Sequence, residues 1–238
     1  MTPSIKTQIR LIAWNCAGNF ARKSAIIEEM RPDVVVISEA EQDAADALPD
    51  ASGGFWIGNG RRGLAVVALN GWRLEHAEVQ VAERLFLPVR LSRGGLTLRV
   101  VGACVKKTTD YVGPTLSALE QLGSFLRAEP AIVAGDFNQS AALDGRRASG
   151  RRFARVIERL DELRFRSAWH SFKEEQMGAE SKPTFFWRWQ DQPQSRFHID
   201  YAFVSRDIAI NWAALGDHRP YVEAGLSDHV PLLVDVSI

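Results

Sequence analysis

The stretch Ala131-Ile132-Val133-Ala134-Gly135-Asp136-Phe137-Asn138 decides the reading of this chain. Four apolar residues, two of them β-branched, make a run too short for a helix and suited to a buried strand. The run then delivers a carboxylate and a carboxamide at its C-terminal end. Two earlier runs do the same: Leu11–Trp14 closes on Asn15, and Val34–Ser38 closes on Glu39. Later in the chain the order reverses. His198 and Asp200 stand near the start of an apolar run, and Asp228 and His229 stand just before Val230–Val236. If these polar ends share one sheet edge, the two late strands must run antiparallel to the three early ones, which a mixed sheet permits.

Working outward, strands are expected at Ile9–Trp14, Val34–Ile37, Leu64–Leu69, Leu96–Val105, Ala131–Ala134, Ile199–Val204 and Val230–Val236. Apolar residues at three-and-four spacing predict helices over Ala21–Met30, Thr115–Arg127 and Arg152–Leu163. Asp43–Gly54 and Ser140–Gly150 read as surface loops. There is no internal repeat, low-complexity tract or convincing linker, so residues 1–238 are expected to form a single α/β domain built on mixed sheets with flanking helices.

Composition narrows the function classes. In 238 residues, 29 Lys and Arg balance 29 Asp and Glu, with 46% hydrophobic positions. That profile excludes disordered, collagen-like and coiled-coil chains, and it argues against bulk electrostatic coating of nucleic acid or membrane. A local anion-binding cleft remains compatible with a zero sum. Cys16 and Cys104 supply neither a disulfide framework nor zinc-ligand spacing and read as small buried hydrophobes. The N-terminus has no apolar signal core and no run reaches membrane-spanning length, so a cytoplasmic protein is expected. Nothing specifies a protein partner, and a monomer is expected.

One motif misleads. Gly58-Asn59-Gly60-Arg61-Arg62-Gly63 matches the dinucleotide fingerprint G-x-G-x-x-G. That fingerprint has meaning only where it opens a helix, whose N-terminus holds the pyrophosphate. Here it is followed by Leu64–Leu69, a strand, and Asn59-Gly60 is a strong hairpin turn.

The polar strand ends suit metal-assisted hydrolysis of phosphate esters. Asn15, Glu39 and Asp228 are oxygen ligands of the type Mg²⁺ or Mn²⁺ prefer. An ion there polarises a phosphoryl oxygen and stabilises the leaving group. Asp136 is placed to take a proton from the attacking water, with Asn138 orienting water or phosphate. His229 donates to a phosphate oxygen, and Asp200 holds its tautomer and orientation. Singly, an Asp at a strand end is more often a turn former, and a lone His more often structural. Five such sites in one chain carry the case.

Taken together, Trp14-Asn15-Cys16-Ala17-Gly18, Ser38-Glu39, Gly135-Asp136-Phe137-Asn138, His198-Ile199-Asp200-Tyr201 and Ser227-Asp228-His229-Val230-Pro231 resemble the endonuclease/exonuclease/phosphatase superfamily. They follow that family's order over residues 9–236, and the match looks most like its bacterial-type members. The resemblance implies a DNase I-like four-layer α/β/β/α sandwich, with two mixed sheets face to face and helices outside. It also implies Mg²⁺ dependence, with Glu39 and Asn15 near the metal, Asp136 and Asn138 around the nucleophile, and Asp200–His229 on the phosphate. One position departs. The Tyr or His that the family usually carries after the third strand is replaced near Cys104 or Val105, leaving Lys106, Lys107 or Tyr111 as donors.

Two features bear on substrate. Asp144–Arg166 holds eight Arg against four acids, which suits a polyanion but is read first as a solvated helix face. Phe185, Trp187 and Trp189 alternate along an expected strand and suit base stacking or hairpin core packing. Trp56 and Trp72 read as core or hairpin residues. The leading expectation is a nuclease-like phosphodiesterase acting on DNA or RNA. The alternatives are a phosphatase for a small molecule or lipid head group, and a degenerate binding domain.

Overall fold

The computed structural model describes residues 7–79, 81–128 and 130–238. The N-terminal part supplies β1 (Gln8–Asn15), β2 (Val34–Ala40), β3 (Ala51–Gly58) and β4 (Gly63–Leu69). Next come β5 (Arg73–His76), β6 (Phe86–Arg93), β7 (Leu96–Cys104) and β8 (Ala131–Asp136). The C-terminal part adds β9 (Phe165–Ser167), β10 (Phe185–Phe186), β11 (Arg196–Phe197), β12 (Asp200–Ser205), β13 (Ala209–Leu215) and β14 (Leu232–Ser237). The helices are α1 (Ser24–Glu28), α2 (Val112–Gln121), α3 (Gly123–Arg127), α4 (Ala154–Glu162) and α5 (Ala168–Lys173).

Two six-stranded mixed sheets result, ordered β13-β14-β1-β2-β4-β3 and β5-β6-β7-β8-β12-β9. In the first, β1 and β2 are parallel and β14 runs antiparallel to β1. In the second, β7 and β8 are parallel and β12 runs antiparallel to β8. The polar-ended strands therefore meet with the polarity that the sequence requires.

The sheets pack face to face through apolar side chains such as Leu11, Ala13, Val36, Val66, Val100 and Ala134. Their approach is close: a Cβ on Gly102 would lie 2.8 Å from Val66 Cγ2 across the interface. The other face of the second sheet is covered by α2 and α4, which bury Val112, Leu119, Val156 and Leu160 with Phe137 and Tyr201. Strands that are apolar on both faces are the consequence of this layering.

Gly58–Gly63 is a hairpin, as its turn chemistry requires. Gly58 pairs with Gly63 at the close of β3 and β4. The Trp56 ring lies over both glycines, where a Cβ would come within 2.4–2.7 Å of it. Trp56 also donates through Nε1 to the Ala40 carbonyl at 2.9 Å, while Trp72 is fully buried.

Several boundaries differ from expectation. The loop expected at Asp43–Gly54 becomes strand from Ala51, where the chain pairs with β4; Gly54 leaves room for the Ala45 methyl, from which a Cβ there would lie 2.5 Å. The helix expected over Ala21–Met30 is a 3₁₀ turn, Phe20–Arg22, followed by α1; Lys23, at φ −122°, separates them. Thr115–Arg127 divides into α2 and α3 at Leu122. Ser140–Gly150 is made largely of 3₁₀ turns. The aromatic alternation fails as a strand: β10 stops at Phe186, since Arg188 and Trp189 take left-handed backbone at φ 55° and 60°.

Candidate active site

At one end of the sandwich a cleft of about 670 Å³ is lined by Asn15, Glu39, Asp136, Asn138, Asp228 and His229, among others. Asp200 stands directly behind His229. All seven residues singled out from the sequence are thus brought together from both sheets.

Local geometry explains each placement. Gly135 has φ 136°, and a Cβ there would lie 2.0 Å from the Ala103 carbonyl oxygen, so only glycine permits the turn of chain that presents Asp136. Asp136 lies opposite Asp200 in the β8–β12 register and beside Cys104 in the β7–β8 register. Glu39 occupies a bulge between Ser38, paired with Leu64, and Ala40, paired with Gly63. Its left-handed φ of 59° turns the carboxylate out of the ladder towards the cleft. Ala17 and Asn138 share this backbone region, a concentration of strain typical of a working site.

The hydrogen bonds form two linked sets. Asp136 accepts from the Asn138 backbone N–H at 2.8 Å, Asn138 Nδ2 at 2.8 Å and Asn15 Nδ2 at 3.0 Å. Burial first, and then the charge of Asp200, push the Asp136 carboxyl up to about 6. His229 Nδ1 is paired with Asp200 Oδ2 at 2.8 Å, which leaves Nε2 for the cleft. Burial works against the imidazolium, but the Asp200 charge and hydrogen bond outweigh it and raise His229 to about 9. Thr184 Oγ1 accepts from the backbone N–H groups of Ile199 and Asp200 and so fixes the start of β12.

A further set of contacts fastens the loops, with Lys23 joining them without a signature in the sequence. The Lys23 ammonium donates to the carbonyls of Cys16 at 2.5 Å and Gly18 at 2.6 Å and also to that of Leu226. Ser227 Oγ donates to the Asn15 carbonyl at 2.6 Å and accepts from the His229 N–H at 3.0 Å. Trp14 Nε1 donates to the His229 carbonyl at 3.0 Å. The end of β1 and the Ser227-Asp228-His229 segment are thereby held as one unit.

Charge at the mouth is also organised. Glu39 is bridged by Arg62 at 2.9 Å and Lys106 at 3.2 Å. Burial raises its carboxyl, but these two cations outweigh burial and hold it below the usual carboxylate range. Burial raises the Asp228 carboxyl, with Glu39 and Asp200 adding to the effect. Cys104 is fully buried in the core between the sheets, whereas Lys106, Lys107 and Tyr111 all line the cleft. The Arg-rich segment does not: Arg151 pairs with Asp110 and Arg159 with Glu162 on the surface. Trp189 and Phe185 line the cleft, the Phe185 ring standing 4.6 Å from the His229 ring centre to centre.

The donor set suits a small hard cation. Glu39 and Asp228 bring two carboxylates to the cleft, and Asp200 Oδ1 is buried with no hydrogen-bond partner among the described residues. Ligand-type atoms of Asp136, Asp200 and His229 also lie within 4.8 Å of one another. Asn15 is more committed than its sequence context suggests, since Oδ1 accepts from the Ala17 N–H at 3.1 Å while Nδ2 serves Asp136. Among the described residues no helix is long and apolar enough to cross a membrane.

Comparison with known proteins agrees with this architecture. The profile of the Endonuclease/Exonuclease/phosphatase family matches residues 12–229. No curated protein sequence is significantly similar. Among solved structures, an endonuclease/exonuclease/phosphatase from Bacteroides vulgatus superposes with a TM-score of 0.71 at 17% identity, over 97% of this chain and 99% of that one. A Neisseria 3′ phosphatase, NExo, bound to a product DNA hairpin, gives 0.71 at 16%, over 95% and 98%. An AP endonuclease from Leishmania major gives 0.72 at 15%, over 97% and 88%. At these identities the likeness is one of fold.

Proposed function

Because the chain belongs to the endonuclease/exonuclease/phosphatase family, whose membership implies a phosphoester hydrolase, we propose that it is an Mg²⁺-dependent phosphodiesterase with nuclease-like action on DNA or RNA. The observation that carries this reading is the buried Asp136–Asp200–His229 cluster opening onto a cleft with further carboxylates.

Asp136 is the general base. Three donated hydrogen bonds fix its carboxylate, and a value of about 6 leaves it ionised yet basic enough at neutral pH to accept a proton from water. His229, protonated below about 9, presents Nε2 to a phosphate oxygen as negative charge grows there. Asp200 orients the ring through Nδ1 and stabilises its charge. Asn138 keeps Asp136 aligned and forms the wall beside the attacking water.

The metal belongs at the mouth, with Glu39, Asp228 and the remaining lone pair of Asn15 Oδ1, because the inner cluster already carries an imidazolium. Mn²⁺ fits the same oxygen donors. When bound, Mg²⁺ supplies charge stabilisation at the phosphoryl and leaving-group oxygens. Trp189, which lines the cleft and is 45% exposed, offers a stacking surface there and favours a nucleic-acid substrate.

The test is hydrolysis of bis(p-nitrophenyl) phosphate. Chelator treatment is expected to abolish turnover and added Mg²⁺ to restore it. Glu39→Gln should raise the Mg²⁺ concentration required by about tenfold or more. Undiminished activity in EDTA would overturn the proposal. A panel of DNA, RNA, inositol phosphates and sphingomyelin then separates nuclease from head-group phosphatase.

A further inference from the structure

A second cavity, of about 920 Å³, adjoins the candidate active site. Arg62 and Lys106 belong to the linings of both. Beyond them the lining is mostly apolar, with Ile57, Val81, Leu85 and Phe86 among its walls, and His76, Glu83 and Arg84 add polar groups to it. Leu85 has a left-handed φ of 65°, a costly state for a bulky side chain, and its carbonyl accepts from the Cys104 N–H at 3.0 Å. The strained residue is therefore tied to the strand that ends beside Asp136. Arg62 comes from the Gly58–Gly63 hairpin, whose resemblance to a dinucleotide fingerprint had no role in the catalytic account. Its guanidinium lies against Gly18, where a Cβ would be 2.6 Å from Nε. The hairpin is thus locked against the β1 loop with its cation at the seam between the two cavities.

We propose that this second cavity is a substrate subsite that holds an apolar substituent of the phosphoester, with Arg62 and Lys106 receiving the phosphate at its near end. The proposal rests on the phosphodiesterase reading for the location of the scissile phosphate. Three observations carry it: continuity of the cavity with the catalytic cleft, the two cations Arg62 and Lys106 on the shared wall, and a mostly apolar lining beyond them. A bare phosphate or a small hydrophilic ester has nothing to bury there. A phosphodiester with an aromatic or aliphatic limb does, and removing that limb from water supplies the affinity. Arg62 and Lys106 need only exchange Glu39 for the substrate anion, and both are exposed enough to do so, at 49% and 50%.

The experiment is calorimetric titration of the full chain with methylphosphonate, phenylphosphonate and hexylphosphonate, none of which requires turnover. Phenyl- or hexylphosphonate is expected to bind about tenfold tighter than methylphosphonate. Stronger binding of the phenyl compound identifies an aromatic limb such as a nucleobase, and stronger binding of the hexyl compound identifies an aliphatic one. Val81→Asp, in a half-buried wall position, and Ala82→Trp, which fills the cavity from an exposed position, should each reduce that ratio to about one. Equal affinity for all three phosphonates, or a ratio untouched by both substitutions, overturns the subsite. Absence of turnover on any phosphodiester would instead remove the proposed activity, and the phosphonate ratio would still decide whether the cavity binds apolar phosphoesters.

Discussion

His229 and Asp136 are both ionisable, both buried, and both raised from their ordinary values, to about 9 and about 6. Asp136 must be ionised to act as a base, which requires pH above about 6; His229 must be protonated to donate, which requires pH below about 9. The rate should therefore rise through the first value and fall through the second, giving a bell-shaped profile. In Asp200→Asn the imidazolium loses the charge that offsets its burial, so the alkaline limb should move to lower pH and the maximum rate should fall. A profile whose alkaline limb stays in place would show that the pair does not titrate as described. Lys23 acts at one remove. Lys23→Met removes three charge-assisted bonds and should cost about 1–3 kcal/mol in urea unfolding. Its kcat should fall more than its KM changes, with Lys23→Arg recovering part of the loss.

Elements set the direction in which these side chains point. The strand β8 ends correctly only because Gly135 tolerates a φ of 136° against the Ala103 carbonyl. Gly135→Ala is expected to destabilise the fold by about 2–4 kcal/mol, measured by denaturant unfolding, and to depress activity even where the protein remains folded. Strands of this kind were legible because they join a continuous apolar run to a polar end. Most of the strands that carried no such signal are edge or half-exposed ones; β6 is largely buried, but Pro88 and Arg90 interrupt its apolar run. β13 shows Asn211 and Trp212 to solvent, β5 is largely polar, and β3 opens on Ala51-Ser52-Gly53-Gly54, which has the composition of a loop. For Phe185, Trp187 and Trp189, alternation alone suggested a strand, and the left-handed backbone at Arg188 and Trp189 ends it, leaving both tryptophans exposed and Trp189 lining the cleft.

At the scale of the whole molecule, two sheets converge so that residues more than 200 positions apart, such as Asn15 and His229, share one wall. The order of polar strand ends made that convergence readable, since each end constrains the polarity of its strand. What fastens the site was not readable. The Glu39 bridges to Arg62 and Lys106 and the Lys23 contact with Leu226 join positions whose separation in sequence carries no pattern. Charge also reads differently in three dimensions. The Arg-rich segment 144–166 lies away from the cleft lining, and the cations that line the cleft with the acids are Arg62, Lys106 and Lys107. A zero net charge thus conceals an acidic cluster met by its own local cations. The central claim is that Asp136 and His229 perform the chemistry in a metal-dependent phosphodiesterase. The most direct measurement is kcat for bis(p-nitrophenyl) phosphate with saturating Mg²⁺ in the parent protein, Asp136→Asn and His229→Ala. Losses of about 10²–10⁴-fold in each variant, with folding intact by circular dichroism, are the predicted result. Parent-like kcat in either variant would contradict it.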